Sequence, residues 1–521
     1  MDIKKEQERA ELHKIIWNIA DDLRGTVDGW DFKQYVLGML FYRYISENIT
    51  EYINKIEHEA ENYRFDYKNF SDDEINDEIR NDLIDTIGYF IKPSQLFYNV
   101  YINAKNDENL NETLSSVFKE IENSAIGSKS EDNFKGLFDD FDVNSKKLGA
   151  SVKERVEKLN KIMKGIASMN LGSYGENTID IFGDAYEFLM GMYASNAGKS
   201  GGEYYTPQEV SELLTRLTLI GKKEVNKVYD PACGSGSLLL KYAKILGHGN
   251  VRIGFFGQET NITTYNLCRI NMFLHNIPYD KFNIAHGDTL TNPQHDDFEP
   301  FEAIVSNPPY STKWKGDDDP VLINDHRYSP AGVLAPKSKA DFAFIMHSLS
   351  WLAGSGTAAI VCFPGIFYRG GAEQKIRKYL VDNNFIDCII QMPENLFYGT
   401  SIATCVMVLK KNKQDSSIFF INASKEFVKV TNNNKLTQDN INNILKYYEE
   451  RRDVEYISSL VKYEKVVEEN YNLSVNTYVE IEDTREKIDI NILNKEIDEI
   501  VKKQQVLRDN IDKIVVELGD I

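Results

Sequence analysis

The chain has 521 residues, 42% hydrophobic and 27% charged, with a formal net charge of −20 at pH 7. That length exceeds what one hydrophobic core serves and predicts two to four domains. The composition excludes a membrane-spanning chain, because nothing approaches an uninterrupted apolar run of ~18 residues. Five scattered cysteines without Cys-x-x-Cys spacing also exclude a disulfide framework or a zinc cluster.

The opening Met1-Asp2-Ile3-Lys4-Lys5-Glu6 is charged and lacks an apolar signal segment. With cysteines of this kind, a reducing, cytoplasmic compartment is expected. From Lys4 to about Ile166 the pattern predicts helices. Leu12, Ile16, Ile19 and Leu23 recur at helical spacing before a break at Gly25. Phe32, Val36, Met39 and Tyr42-Arg43 continue the period, and Val152, Val156, Leu159, Met163 and Ile166 form another stripe. Such stripes read as core faces rather than ligand contacts. Between them, 106–144 is polar and acidic with weak periodicity, and looser helices or loops are expected there. Residues 1–165 are therefore assigned to an N-terminal helical domain.

Residues 166–424 change character. Ala197-Gly198-Lys199-Ser200-Gly201-Gly202 is a flexible loop by composition, either a lid or a plain linker. Strands and helices then alternate, which predicts a parallel sheet with helices on both faces. The strand candidates are Lys227–Asp230, Arg252–Gln258, Phe282–Ala285, Ala303–Ser306, Thr357–Phe363, Ile386–Met392 and Thr404–Leu409. The last two lack a long helix between them, so an antiparallel pair at the end of the sheet is expected. The sum is an α/β, Rossmann-like, seven-stranded sheet. Phe397-Tyr398-Gly399-Thr400, between those final strands, lines a pocket or caps the sheet. Residues 425–521 are read as helical. From Ile490, heptads place Ile490, Ile497, Ile511 and Leu518 at one position and Leu493, Ile500, Leu507 and Ile514 at the other, with Gln504 interrupting. This seam implies a partner helix, unless the helix lies on the chain's own body.

Two motifs carry the chemistry. Asp230-Pro231-Ala232-Cys233-Gly234-Ser235-Gly236 joins a strand to a helix. Its glycines permit close backbone approach, and the helix start offers free N–H groups. Glu259 ends the next strand candidate, roughly the separation expected of a carboxylate that grips ribose hydroxyls. The alternative is a turn plus a solvated Glu. Asn307-Pro308-Pro309-Tyr310 follows a short apolar strand, at the sheet edge where such folds bind ligands. The prolines remove two donors and rigidify the turn, Asn307 adds an acceptor, and Tyr310 adds a flat ring. Acceptors beside a stacking ring suit a planar base with an exocyclic amine. Binding both amine hydrogens localises a lone pair that is otherwise delocalised into the ring, so catalysis rests on positioning and preorganised electrostatics. A rigid turn after a strand is the plainer alternative.

Together these residues resemble the amino-methyltransferase class of S-adenosylmethionine-dependent DNA methyltransferases, in the gamma motif order. Gly202-Glu203-Tyr204-Tyr205-Thr206-Pro207 resembles the first cofactor motif, Gly287-Asp288-Thr289-Leu290 the motif whose Asp contacts the cofactor adenine, and Asp341-Phe342-Ala343-Phe344 the helix bordering the pocket. Gly183-Asp184-Ala185-Tyr186-Glu187 and Asp21-Asp22-Leu23-Arg24-Gly25 are similar to segments of one subgroup, the modification subunit of Type I restriction-modification systems. The resemblance implies adenine-N6 methylation that protects host DNA from restriction. Asn307, Pro308, Pro309 and Tyr310 would be catalytic. S-adenosylmethionine would be held by Tyr205, Thr206, Pro207, Asp230, Pro231, Ala232, Gly234, Ser235, Gly236, Glu259, Asp288 and Asn307, and no metal is implied. It implies double-stranded DNA, a specificity subunit, a second modification subunit and a nuclease/translocase subunit as partners. Docking would run through the C-terminal helices.

A charge of −20 opposes DNA, whose affinity normally comes from Lys and Arg on phosphates. Either a local basic surface compensates, with Lys313, Lys315, Arg327, Lys337 and Lys339 as candidates, or another subunit supplies the grip. The isolated chain is therefore expected to bind DNA weakly. Three other readings share features with this one. A protein-glutamine N5-methyltransferase carries the same tetrapeptide but is usually much shorter and lacks the heptads. A cytosine-N4 enzyme usually has Ser in place of Asn307. A non-catalytic scaffold would retain the fold alone.

Overall fold

The computed structural model describes residues 3–22, 29–169, 181–196, 206–296, 299–316, 319–397, 400–430, 433–481 and 490–519. Two compact units are distinguished, Met1–Val479 and Glu480–Ile521.

The first unit opens with helices Ile3–Asp22 and Gly29–Glu59. Leu12, Ile16, Ile19, Val36, Met39 and Tyr42 are buried, as are Val156, Leu159, Met163 and Ile166 of helix Val152–Ala167. Ser151 starts that helix with a capping box, accepting from the Glu154 N–H while the Glu154 carboxylate takes the cap's own N–H. Val152, the first helical residue, is exposed instead of buried. Leu23, Gly25 and the side chain of Phe32 lie outside the described residues. Residues 106–144 differ from expectation. Leu110–Ser124 is a 15-residue helix that buries Leu110, Leu114, Val117, Phe118 and Ile121. Phe134, Leu137, Phe138 and Phe141 join the same core, with the Phe118 and Phe138 rings stacked at 4.5 Å. The apolar period is there, but the intervening acidic residues hide it from a composition-led reading.

All seven expected strands form, and the sheet is wider than expected. They are β1 Val225–Asp230, β2 Val251–Glu259, β3 Phe282–His286, β4 Phe301–Ser306, β5 Leu352–Cys362, β6 Ile386–Gln391 and β7 Cys405–Lys410. Ile418–Asn422 adds β8; Val428–Val430 and Asn433–Lys435 form a separate antiparallel ribbon, β9 and β10; Ser458–Val461 is β11. The nine-stranded order is β11-β8-β6-β7-β5-β4-β1-β2-β3. The antiparallel pair expected at the end lies inside the sheet. β7 is wedged between β5 and β6, while β8 pairs parallel with β6 and β11 closes the edge. The region after 425 is thus not purely helical.

β1 lies between β4 and β2, all parallel. Chain order reverses there, so the loops after β1 and β4 face each other across the switch-point crevice. Helix Ile262–Leu274, beyond β2, is buried on nearly every side because the N-terminal helices cover its outer face. Thr263 Oγ1 and Asn266 Nδ2 donate to the two Asp140 oxygens at 2.7 and 2.8 Å. Buried Arg269 donates to the carbonyls of Asp132 and Lys135 at 2.9 and 3.0 Å. The helical and sheet layers therefore share one polar seam.

In the second unit, Ile490–Gly519 is a single 30-residue helix. Ile490, Leu493, Ile497, Ile500, Leu507, Ile511, Ile514 and Leu518 are all exposed along it. Among the described residues, no helix is long and apolar enough to cross a membrane.

Candidate active site

Asn307 leaves the carboxyl end of β4 buried, at 6% exposure. Its Nδ2 donates to Thr206 Oγ1 at 3.2 Å, which orients the amide. Its Oδ1 accepts from the Tyr310 hydroxyl at 2.6 Å. The tetrapeptide therefore folds onto itself, with the phenol on the acceptor expected to serve an amine. Burial lifts the Tyr310 phenol well above its ordinary range, so it stays a donor. Ser311 follows at φ +51°, a left-handed conformation uncommon outside glycine. Its N–H donates to both oxygens of Asp341 at 3.2 and 3.3 Å, and Ala340 N–H donates to the Thr312 carbonyl at 2.9 Å. The helix Asp341–Trp351 thus clamps the turn. Burial raises the Asp341 carboxyl, partly offset by the Ser311 N–H and by its own N–H.

The glycine turn follows β1. Gly234 and Gly236 have φ of 53° and 80°. A Cβ on Gly236 would stand 2.7 Å from Cys268 Sγ, so only glycine fits where the turn meets helix Ile262–Leu274. Asp230 is fully buried; its Oδ1 accepts from the Ala232 N–H at 3.0 Å and from Ser306 Oγ at 2.9 Å. Its Oδ2 has no hydrogen-bond partner, and neither has the buried Ser235 Oγ. Burial, reinforced by the Glu259 charge, pushes the Asp230 carboxyl up to about 7. Glu259 accepts from the Gly234 N–H at 3.1 Å and the Asn261 N–H at 2.8 Å, and burial raises it as well.

Between the two motifs lies a cavity of about 390 Å³, lined by residues that include Pro231, Ala232, Glu259, Asp288, Pro309, Trp314 and Phe344. It offers carboxylates for hydroxyls and aromatic and apolar walls for a flat base, and the residue before its Pro231 wall, Asp230, carries an unpartnered buried carboxylate oxygen. A nucleoside carrying a cationic group fits this set, and the volume lies in the range of small-molecule sites.

The structure brings most of the expected residues together. Pro231, Ala232, Glu259, Asp288 and Pro309 line the cavity; Asp230, Gly234, Ser235 and Gly236 form the turn beside it; Thr206 touches Asn307. Pro207 is buried at the start of helix Gln208–Leu219. Tyr205, the 197–202 loop, Tyr398 and Gly399 lie outside the described residues, and Phe397 is buried. Arg327 does not belong to a free basic surface. It is buried, paired with Asp325 at 2.7 Å, and donates to the carbonyls of Thr289 and Leu290. Lys313 instead lines the cavity. Sequence reading missed Ser306, which holds Asp230, and Asn261, which caps helix Ile262–Leu274 by accepting from the Thr264 N–H at 3.0 Å. Asn261 carried a signal, an N-cap residue opening a helical run; Ser306 carried none.

The N-6 DNA Methylase family model matches residues 177–487, and the HsdM N-terminal domain model matches residues 12–166. The Type I restriction enzyme MpnII methylase subunit of Mycoplasma pneumoniae is 50% identical, over 99% of this chain and 98% of its own length. The MjaVIII methylase subunit of Methanocaldococcus jannaschii is 34% identical, over 66% of this chain and 61% of its own. A crystal structure of a type I restriction-modification methyltransferase subunit from Streptococcus thermophilus superposes with a TM-score of 0.82 at 36% identity, covering 91% of this chain and all of that one. These matches run from the N-terminal helices through the sheet and include the two motifs around the cavity, so the chain belongs to the N-6 DNA methylases, as a methylase subunit of the Type I restriction-enzyme family.

Proposed function

We propose that this chain methylates N6 of an adenine extruded from duplex DNA, using S-adenosylmethionine, as the modification subunit of a Type I restriction-modification complex. The observation that carries the reading is the Asn307 amide: buried, fixed through Thr206, and with its oxygen engaged by a hydroxyl donor at 2.6 Å. A position that already accepts one donor suits an amine hydrogen. When bound, S-adenosylmethionine supplies an electrophilic methyl on a sulfonium.

The chain's own residues do the remaining work. Glu259 and Asp288 hold hydroxyls and a base edge of the cofactor, while Asp230 and the N–H groups at the glycine turn hold its charged end, with Pro231, Ala232, Thr206 and Pro207 shaping the walls. Tyr205 would close over it. Asn307 Oδ1 and the Pro308 carbonyl each accept one hydrogen of the adenine amine, which localises the nitrogen lone pair. Pro309 keeps that backbone rigid. The Tyr310 ring stacks on the base and offsets part of the few kcal/mol that unstacking costs. To receive the base, Tyr310 must withdraw its hydroxyl from Asn307.

In this reading the chain carries the chemistry and another subunit carries the sequence readout. A specificity subunit would choose the DNA site, with two copies of this chain beside it, the exposed apolar seam of Ile490–Gly519 as docking element, and a nuclease/translocase subunit joining for restriction. The cytoplasm fits such a complex. Incubating the chain and its specificity subunit with methyl-labelled S-adenosylmethionine and DNA, followed by digestion to nucleosides, tests the reading. Label in N6-methyladenosine is expected. Label in N4-methylcytosine, in protein glutamine, or in nothing would overturn it.

A further inference from the structure

Arg327 is buried, and the chemistry proposed above makes no use of it. The five N–H donors of its guanidinium all meet acceptors. Nε donates to Asp325 Oδ1 at 3.0 Å, and Nη2 donates to Asp325 Oδ2 at 2.7 Å and to the Leu290 carbonyl at 2.9 Å. Nη1 donates to the Thr289 carbonyl at 2.8 Å and faces His347 Nδ1 at 3.1 Å. Burial and the Arg327 charge hold His347 well below its ordinary range, so the ring is neutral. With Nδ1 accepting, Nε2 carries the proton and donates to the Tyr229 hydroxyl at 2.9 Å. Asp325 alone would have balanced the charge. The two carbonyls are additional, and both belong to the loop that carries Asp288.

Those carbonyls control Asp288 through the peptide planes. The unit joining Thr289 to Leu290 gives its carbonyl to Arg327 Nη1 and its N–H to Asp288 Oδ1 at 3.0 Å. The next unit gives its carbonyl to Arg327 Nη2 and to the Tyr328 hydroxyl at 3.0 Å, and its N–H to the Asp288 carbonyl at 3.3 Å. Each unit is planar, so holding its carbonyl also aims its N–H. Thr291 Oγ1 completes the set, donating to Asp288 Oδ2 at 2.8 Å. Thr289 Oγ1 ties the same loop to the Pro231 carbonyl at 2.6 Å. Asp288 thus stands fixed on the cavity wall, and each of its oxygens keeps a lone pair for a further donor. Lysine could not replace the fork: an ammonium is a point donor on a flexible stem, whereas a guanidinium holds several acceptors in one plane.

We propose that Arg327 is a positioning residue that sets the cavity's preference for a 6-aminopurine, by fixing two peptide units that hold the Asp288 carboxylate toward an exocyclic amine. This rests on the reading that the cavity takes S-adenosylmethionine. The test is calorimetric titration of the full chain with S-adenosylhomocysteine and with its analogue bearing hydrogen in place of the 6-amino group. The parent should prefer the amino compound by about tenfold. Asp288→Ala should erase that preference. Arg327→Lys should erase most of it while leaving the affinity for the deaminated analogue near the parent's. The double variant should lose no more preference than Asp288→Ala alone, because the two groups act through one contact. An arginine that only stabilises the fold would weaken both ligands alike, so Arg327→Lys with the parent's preference intact would overturn the proposal. A double variant that falls further than Asp288→Ala would overturn it too. Tyr328→Phe leaves the guanidinium in place and removes one of two donors to the Leu290 carbonyl, which keeps the question open to measurement if Arg327→Lys fails to fold. It should lower the preference by about twofold, and an unchanged preference there would count equally against the proposal. A parent that binds both ligands equally leaves the cofactor reading standing and sinks this one; a parent that binds neither sinks both.

Discussion

Replacing Asp230 by Asn should stabilise the protein without cofactor while weakening cofactor binding. The carboxyl is fully buried, and its environment moves it from 3.8 to about 7. At pH 8 the carboxylate is charged in both folded and unfolded chains, but only the folded one holds it dry. A difference of roughly three decades corresponds to about 4 kcal/mol of native-state destabilisation. The sign follows from the folded value lying above the unfolded one. The native state binds the extra proton between about pH 4 and 7, so this group's contribution to stability falls as pH rises through that window. Asn keeps the acceptor for Ala232 N–H and Ser306 Oγ but places an amide donor where Oδ2 had no partner, which costs about 1–3 kcal/mol. The net gain at pH 8 is about 1–3 kcal/mol, or a few degrees of melting temperature. At pH 5 the parent carboxyl is mostly protonated, and the gain should vanish or reverse. Thermal melts from pH 5 to 8.5, with calorimetric titration of S-adenosylmethionine, measure both halves. A variant that melts below its parent at pH 8, or one that binds cofactor normally, would refute the reasoning.

Further outcomes follow from the same geometry. Gly236→Ala meets Cys268 Sγ and a backbone at φ +80°, so it should destabilise by about 1–3 kcal/mol in denaturant melts and lose cofactor binding. Asp341→Ala removes both acceptors of the Ser311 N–H; methyl transfer should fall at least tenfold while cofactor affinity, read by titration, stays near that of the parent. Tyr310→Phe keeps the ring but frees Asn307 Oδ1 from its hydroxyl partner, and 2-aminopurine fluorescence at the target position should report a larger extruded fraction. Ile500→Asp with Leu507→Asp puts charge in the exposed seam, so co-purification with the specificity subunit should be lost without a change in the melt of the main unit.

Much of the fold was legible because strands inside a covered sheet are written as short apolar runs, and all seven such runs formed strands. β8 and β11 were not legible in the same way. Ser458–Val461 is four residues, with Ser459 half-buried and Leu460 exposed, and becomes a strand because β8 offers an edge to pair with. The helix Leu110–Ser124 was hidden by acidic residues that solvent tolerates on its outer face. At the site, the two motifs could be read because each compresses turn, ligand group and rigidity into a few adjacent residues. Arg327 could not. Its counter-charge Asp325 is near in sequence, but the carbonyls of Thr289 and Leu290 that accept its other donors arrive from another loop. Ser306 reads as the last residue of an apolar strand, and only the pairing of β4 with β1 puts its hydroxyl on Asp230.

In the proposed mechanism the Asn307 amide oxygen activates an aromatic amine for attack. The most direct measurement is the single-turnover rate of methyl transfer by Asn307→Ala, assembled with its specificity subunit and saturated with cofactor and DNA. A loss of about 10²–10³ or more, with cofactor binding close to the parent's, is predicted. A rate within a few-fold of the parent would contradict the account.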